Sequence, residues 1–316
     1  MHTLRQDRRN RSVKEERKPA MNQYLLLGIS LAGSLTGSVV KKTLSDRYRN
    51  GNFERFLFSA VTSAVAAAGL AVYSGSLRAS GFTILLGAVF GLTTAIQSVF
   101  NMRAIETGPY SYTTVLGSLS MIIPALSGAV LWDEKISAVQ IVGIVLMAAC
   151  FVLSANFKGD EKKATLRWLL YCLVSFFTTG AIGVMQKWHQ NTGFKDELDA
   201  FLVIAFAVSF VFSIVTALVC RKRDGAGAEG KKLTAPVPLA LMAVAGAGIA
   251  LCNKLNLYLS GAMDSAVFFP VFNGSILMLV TLVAVVFFKE RLTGKQWIGM
   301  AVGACAVILL CDPVKF

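Results

Sequence analysis

Motifs that would mark an enzyme are absent from this sequence, and histidine is almost absent. The 316 residues include two histidines, His2 and His189, too few and too far apart for a metal site or a histidine-based triad. The sequence also has no Walker loop and no glycine-rich dinucleotide fingerprint. We therefore expect the protein not to be an enzyme and to hold no cofactor and no metal.

The cysteines lack a metal-type spacing as well. All six lie in or beside long apolar runs, so we interpret them as small core residues and not as disulfides or metal ligands. They are Cys150, Cys172, Cys220, Cys252, Cys305 and Cys311.

Charged residues are few too: 55% of the residues are hydrophobic and only 16% are charged. The mean hydropathy of +0.61 indicates that lipid surrounds most of the chain. Ten apolar runs approach the roughly 20 residues with which a helix spans a bilayer, and none alternates at period two as barrel strands do. We expect an all-α polytopic membrane protein with ten transmembrane helices. The runs cover residues 22–40, 54–74, 82–105, 111–131, 137–155, 167–187, 199–220, 236–260, 265–288 and 295–312.

The formal charge of +13 is dispersed through a terminal tail and short turns. No basic helix interleaved with aromatic residues is present, so we expect no binding to nucleic acid. Contact with anionic lipid headgroups explains the charge better. We expect an integral protein of the bacterial cytoplasmic membrane, monomeric or homodimeric, with membrane lipids around it.

One segment occurs twice, 156 residues apart. Residues 129–137 (AVLWDEKIS) are followed by Gln140 and Gly143, and residues 285–293 (VVFFKERLT) are followed by the same two residue types. Each copy is a short charged turn between two apolar runs. The duplication predicts two inverted five-helix repeats, since an odd number of spans reverses the orientation, and it favours a transporter.

A polar linker at residues 157–166 separates the two halves. We assign the first repeat to residues 21–156 and the second to residues 167–312. Residues 1–20 form a basic N-terminal tail, and residues 313–316 form a C-terminal tail.

The register between the halves extends beyond the repeated turn. Residues 95–101 (AIQSVFN) align with residues 250–256 (ALCNKLN). A fainter match pairs Gly37 and Lys41 with Gly183 and Lys187. We interpret Lys41 and Lys187 as interfacial anchors, because each lies at the end of its apolar run.

Together these features resemble the EamA family of the drug/metabolite transporter (DMT) superfamily. The shared motifs are the end of the third helix, a turn of the Leu-x-Glu type and the apolar-Gly step after it. They lie at Met102 to Ala104, Leu131 to Ile136 and Ile141 to Gly143, with a second copy at Phe287 to Leu292 and Trp297 to Gly299. The resemblance covers residues 22–312 and implies a transporter without specifying the substrate. Glu134 and Glu290 belong to its turn signature, and we interpret them as structural.

Glycines four residues apart lie on one face of a helix and let another backbone approach closely. Prolines inside apolar runs bend the helix. The sequence has glycine pairs at Gly33 and Gly37, at Gly87 and Gly91, and at Gly299 and Gly303, and internal prolines at Pro124 and Pro270.

Lys254 is the clearest charge at membrane depth, with Asn253 and Asn256 close by. Its counterpart in the first half is Val99, so symmetry does not explain the lysine. We consider three roles. The ammonium faces the central cavity and attracts a negative group of the substrate, or it snorkels to the interface, or it pairs with an acid such as Glu106.

Polar side chains also line one face of the third run, at spacings of three and four: Thr94, Gln97, Ser98 and Asn101. Asn273 on the ninth run is a further candidate for a hydrogen-bonding lining. The candidate substrate-binding residues are therefore Lys254, Asn256, Asn253, Asn101, Gln97, Thr94 and Asn273.

No acid occurs between Glu16 and Asp46, so the first span lacks the membrane-embedded glutamate of the small multidrug resistance branch. This absence disfavours an exporter of lipophilic cations. We expect a transporter of a small organic metabolite, anionic or zwitterionic, that works by alternating access. The alternative is a non-transporting sensor or assembly protein on a degenerate transporter scaffold, with a closed apolar centre and Lys254 at the interface.

The basic residues conflict over orientation. The resemblance implies cytoplasmic termini, and the seven basic residues of the tail agree. The loops on the supposed outer side, however, hold eighteen basic residues against five on the other. The conflict between the tail and the loops disappears if residues 1–20 are not native. The charge of the loops alone would then place both termini outside.

Overall fold

A computed structural model of the protein describes residues 2–47, 51–74, 77–155, 163–224, 235–289 and 291–311; of residues 2–21, 45–46, 222–224 and 288 it describes the backbone alone. All regular structure in these residues is helical. The helices are α1 (His2–Arg47), α2 (Asn52–Ser74), α3 (Gly81–Thr107), α4 (Tyr110–Leu119), α5 (Ile122–Leu131), α6 (Ala138–Ser154), α7 (Leu166–Gln190), α8 (Leu198–Asp224), α9 (Pro236–Ala262), α10 (Ser265–Phe288) and α11 (Gly294–Cys311). Glu290, most of the linker and the C-terminal tail lie outside the described residues.

Nine helical segments in the described part of the chain are long and apolar enough to cross a membrane, which indicates an integral membrane protein. They begin and end within four residues of nine predicted runs. The tenth run forms α6, which has 17 residues and is shorter than the other nine. A helix of that length rises about 26 Å, slightly less than the ~30 Å of a hydrocarbon core.

The predicted run 111–131 forms two helices that meet at Ser120 and Met121. Pro124 lies in the first turn of α5 and has no backbone N–H to donate to the Ser120 carbonyl group, which explains the break at this point. The other internal proline, Pro270, lies within α10, which continues through it.

The described residues of the two repeated turns share a left-handed position. Asp133 (φ 52°) and Lys289 (φ 55°) are the two residues other than glycine with positive φ in the described residues, and each follows the end of an apolar helix. Ser137 Oγ then accepts a hydrogen bond from the backbone N–H of Gln140, and the Ser137 N–H donates one to Gln140 Oε1. Thr293 makes the same two bonds with Gln296. In each copy of the repeated segment, a left-handed residue therefore ends one helix and a capping residue begins the next.

The helices pack in a recurring set of pairs. α1 packs against α9 as α3 packs against α7, and α2 meets α9 as α3 meets α8. α2 also packs along α8, and α6 along α11. Two large apolar cores result, one mainly between α5, α6, α10 and α11 and the other mainly between α2, α3, α7, α8 and α9.

The predicted close approach of another backbone is confirmed at Gly33, Gly87, Gly91 and Gly299, whereas side chains are the neighbours of Gly37 and Gly303. A β-carbon at Gly91 would collide with the Ala205 carbonyl group, one at Gly33 would lie 2.6 Å from the Gly248 carbonyl oxygen, and one at Gly303 would lie 2.6 Å from Cys150 Sγ. At Gly33 and Gly91, where a carbonyl oxygen of another helix lies this close, side chains larger than hydrogen are excluded.

The bundle has two ends, which we name after one residue each. At the Glu134 end, the last residues of α5, α7 and α9 lie beside the first residues of α8 and α10. The Lys41 end is the opposite end, where α1 stops and α2 begins. The N-terminal end of the first span lies at the Glu134 end, since Gln23 donates a hydrogen bond to the Ala262 carbonyl group at 3.0 Å.

Candidate functional site

A buried ion pair closes the Glu134 end. Glu134 Oε1 contacts Lys187 Nζ, and the side chains of the two residues are 13% and 3% exposed. Lys187 Nζ also donates a hydrogen bond to the Met263 carbonyl oxygen at 2.9 Å. Glu134 Oε2 accepts one from the backbone N–H of Ser265 at 2.8 Å. One carboxylate thus joins the ends of α5, α7, α9 and α10.

The local sequence explains why Glu134 reaches this position. The left-handed residue Asp133 turns the chain back toward α5, and the Glu134 N–H donates to the Gly128 carbonyl oxygen at 3.1 Å. Gly128 has no side chain to block the carboxylate. Ser265 is the first residue of α10, where unpaired N–H groups and the helix dipole favour an anion.

The prediction for Lys187 was therefore wrong, because this lysine is buried and does not anchor the protein at an interface. A charge with so little solvent contact is stable only when paired, and removal of one partner from a buried pair destabilises by about 3–5 kcal/mol. Glu134 has the structural role that its turn signature predicts, and it also holds both halves of the chain together at one end.

A second set of contacts reinforces the Glu134 end. Glu197 Oε2 accepts hydrogen bonds from the backbone N–H (2.9 Å) and hydroxyl group (2.8 Å) of Ser80, which precedes α3. The Phe82 ring stacks on Phe194, with centroids 5.6 Å apart, and meets Trp188 edge-on at 6.1 Å. The first turn of α3 is thus fixed to the connection between α7 and α8.

Lys254 is paired with an acid. Its Nζ donates a hydrogen bond to Asp199 Oδ2 at 3.0 Å and lies 2.8 Å from Oδ1, which is out of line for a second one. The ammonium group also lies 4.2 Å from the centroid of the Tyr73 ring. The side chains of Lys254 and Asp199 are 27% and 25% exposed, so water partly reaches the pair.

The idea of an acidic partner for Lys254 was right in kind, but the named acid was wrong. Glu106 forms its ion pair with Arg103 at 3.2 Å on its own helix. Asp199 begins α8, and its charge compensates Lys254 within the second half of the chain. An anionic solute at Lys254 would have to compete with Asp199.

A cavity of about 250 Å³ lies between α1, α2 and α9 on the side of the Lys41 end. Its polar lining consists of Ser34, Ser38, Lys41 and Asn253, and Phe58 and Ile249 contribute apolar walls. Ser34 lies in the middle of its span, Asn22–Leu44, and Lys41 lies about two turns further along α1. The cavity therefore extends from mid-bundle toward one end.

Lys41 lines this cavity, and its side chain is exposed. No carboxylate of the described residues forms an ion pair with it, and Arg55 of α2 is a like-charged neighbour. The ammonium group of Lys41 makes this side of the cavity positive. We predicted Lys41 as an interfacial anchor, and the structure adds that it lines a polar cavity.

The other candidates do not gather around one point. Asn256 accepts a hydrogen bond from Ser30 at 2.6 Å and so joins α9 to α1. Thr94 and Asn273 donate to carbonyl groups of their own helices, at 2.9 and 2.8 Å. Gln97 and Asn101 are half-buried and make no side-chain hydrogen bond to a described residue. Of the seven candidates, Asn253 alone lines the cavity.

Sequence reasoning missed Lys41 as a cavity residue and Lys187 as a buried one. The match of Gly37 and Lys41 with Gly183 and Lys187 contained a usable signal, since both lysines follow a buried glycine by one helical turn. It placed the two lysines at equivalent positions but could not say that, among the described residues, an acid pairs with Lys187 and none pairs with Lys41.

Compared with known protein families and with curated proteins, the sequence matches none. Among solved structures, 29 chains resemble it. One of them, described as "Crystal structure of protein", has a TM-score of 0.69 and 14% sequence identity, over 92% of this chain and 96% of the other. The TM-score indicates a shared fold, and identity at that level carries no information on activity.

Proposed function

We propose that the protein is a secondary transporter of a small anionic or zwitterionic metabolite, related to the EamA family of the drug/metabolite transporters. In this proposal all ten predicted runs span the bacterial cytoplasmic membrane, with α4 and α5 together forming one span and α6 forming another. Residues 21–156 and 167–312 are inverted repeats, which rock against each other to expose the solute site at one end and then at the other.

Packing that recurs across the chain supports the repeats. A β-carbon at Gly91 would meet Val208 Cβ at 3.0 Å, and one at Gly246 would meet Val65 Cβ at 2.8 Å. Gly246 corresponds to Gly91 in the register of the third runs, and each of these glycines faces a valine on the second span of the other half. The left-handed positions at Asp133 and Lys289 support the same relation.

The observation that carries the proposal is the contrast between two equivalent lysines. Lys41 and Lys187 each lie three residues before the last residue of their spans, Leu44 and Gln190. Lys187 is sealed by Glu134, whereas Lys41 lines an open cavity. A symmetric bundle that is closed at one end and open at the other is what alternating access requires, because the second state follows when the halves exchange roles.

The test is reciprocal labelling of single cysteines with a membrane-impermeant maleimide, in a background without the six native cysteines. Ser38→Cys reports on the Lys41 end, and Thr83→Cys, fully buried in the wild type, reports on the Glu134 end. We expect labelling at position 38 and protection at position 83. The change Glu134→Ala should break the seal, so that position 83 becomes labelled and position 38 becomes protected.

Lys254→Met serves as the matched control, because it breaks an ion pair outside the seal and should leave both labelling rates unchanged. If Glu134→Ala raises the rate at position 83 without lowering the rate at position 38, the ends do not alternate and the proposal fails. The sensor or assembly alternative predicts that the two ends do not exchange their accessibility. Comparison of metabolites in cells with and without the protein then identifies the solute.

A further inference from the structure

The cavity between α1, α2 and α9 contains two kinds of unsatisfied polar group. Lys41 offers an ammonium group with up to three N–H donors and has no ion-pair partner among the described residues. Asn253 offers an acceptor: its Nδ2 donates to the Ile249 carbonyl oxygen at 2.9 Å, which fixes the amide orientation, and its Oδ1 accepts no bond from a described residue.

The serine in the same wall adds another acceptor. The Ser38 hydroxyl group donates its proton to the Ser34 carbonyl oxygen at 3.0 Å, so only its lone pairs remain for a ligand. The cavity thus has a positive donor pole at Lys41 and a neutral acceptor pole at Asn253 and Ser38. A simple anion satisfies the first pole and leaves the second unpaired, at a cost in free energy.

The volume restricts the size of the ligand. About 250 Å³ corresponds to the volume of roughly eight liquid water molecules. Pockets for drug-sized ligands begin near 300 Å³. The cavity therefore suits a small ligand with one polar group for each pole.

We propose that this cavity is the solute site and that it selects a short-chain carboxylate with a hydroxyl or amino donor near the carboxyl group. The carboxylate binds Lys41, and the donor binds Asn253 Oδ1. The inference deepens the transport proposal by naming the solute class and its contacts. It also moves the anion-binding role from Lys254, which has Asp199, to Lys41.

Three acids with the same carbon skeleton test it: propionate, lactate and alanine, which carry H, OH and NH₃⁺ on the carbon beside the carboxylate. Ligand-observed saturation-transfer NMR on the purified full-length protein in detergent gives their dissociation constants. We expect lactate or alanine, or both, to bind at least about fivefold more tightly than propionate, the effect of one net hydrogen bond of ~1 kcal/mol. Propylamine, which lacks the carboxylate, should not bind.

Two variants assign the poles. Lys41→Gln should weaken all three acids by roughly tenfold or more, since a hydrogen bond to a charged group contributes about 1.5–3 kcal/mol, and Lys41→Arg should restore part of the binding. Lys42→Gln is the matched control, because it removes the same charge from the adjacent position, which does not line the cavity. Asn253→Leu should bring lactate and alanine to the affinity of propionate.

The unfolding midpoint without ligand shows whether each variant is folded. Absence of binding by every acid, equal binding of all three, or equal loss in Lys41→Gln and Lys42→Gln would overturn the assignment. Because binding is measured at equilibrium in detergent, it can fail while reciprocal labelling succeeds, and the two proposals therefore stand or fall separately.

Discussion

Lys187 and Lys41 are the same residue type at matching positions near the ends of α7 and α1, yet their surroundings differ in every respect. Lys187 is 3% exposed and bound by a carboxylate and a carbonyl group. Lys41 is exposed in a polar cavity. The difference arises from the neighbours: Glu134 and the Met263 carbonyl group contact Lys187, whereas serines face the space beside Lys41. A shared scaffold can thus hold one lysine for cohesion and leave the other available to a ligand.

The largest effect should come from Glu134→Ala. This change leaves Lys187 as a buried, uncompensated charge, so the free energy of unfolding should fall by about 3–5 kcal/mol. The measurement is equilibrium unfolding in detergent micelles. In Glu134→Leu with Lys187→Met, both charges are replaced by apolar groups, and much of the loss should be recovered. Equal stability of the single variant and the wild type would mean that the pair does not hold the Glu134 end.

A smaller loss should follow from Gly183→Ala. The added methyl group would lie 2.7 Å from Pro124 Cβ and 3.0 Å from Phe269 Cε1, and such overpacking costs typically 1–3 kcal/mol. The equivalent change, Gly37→Ala, meets only the flexible Ile249 side chain at 3.2 Å and should cost less than about 1 kcal/mol. Chemical denaturation of both variants checks the order, and a reversed order would contradict the tighter packing of the Glu134 end.

The next effect concerns the third lysine. Lys254→Met should destabilise the fold by about 1–2 kcal/mol, between the values for exposed and buried ion pairs, because water partly reaches both charges. The affinity for the three-carbon acids should not change. If Lys254→Met instead loses as much affinity as Lys41→Gln while its unfolding midpoint is preserved, Lys254 belongs to the solute site.

The smallest effect should be that of Lys41→Met on stability. No ion pair with a described residue is lost, so the free energy of unfolding should change by less than about 0.5 kcal/mol. The comparison with Lys187→Met, at about 3–5 kcal/mol, measures the asymmetry of the two ends directly. Similar losses for the two methionine variants would show that Lys41 also has a strong partner.

The helices were readable from the sequence because membrane spans are set by local composition. Long apolar runs and the charges between them located nine spans to within four residues. The break between α4 and α5 was harder to place, because the proline acts on a carbonyl group one turn earlier. The turn signature predicted the helix stop and start after α5 and α10, since capping residues act over three or four positions.

The site was less predictable, because it depends on which faces meet. Glu134 and Lys187 come from different halves, and no local pattern pairs them. Lys254 was singled out correctly as costly to leave unpaired, but the sequence did not reveal that Asp199, on the preceding span, turns toward it. The cavity was invisible for another reason: it exists where serine and glycine leave space, and empty space has no sequence motif.

The aromatic cluster at the Glu134 end should make the fluorescence of Trp188 sensitive to opening of that end. Trp188 directly follows Lys187, is 49% exposed and touches Phe82 of the opposite half edge-on. If that end opens, the indole loses its aromatic neighbour and gains water, so its emission should shift to longer wavelength. A solute that changes the emission of Trp188 while binding near Lys41 would report, without any attached label, that the two ends communicate.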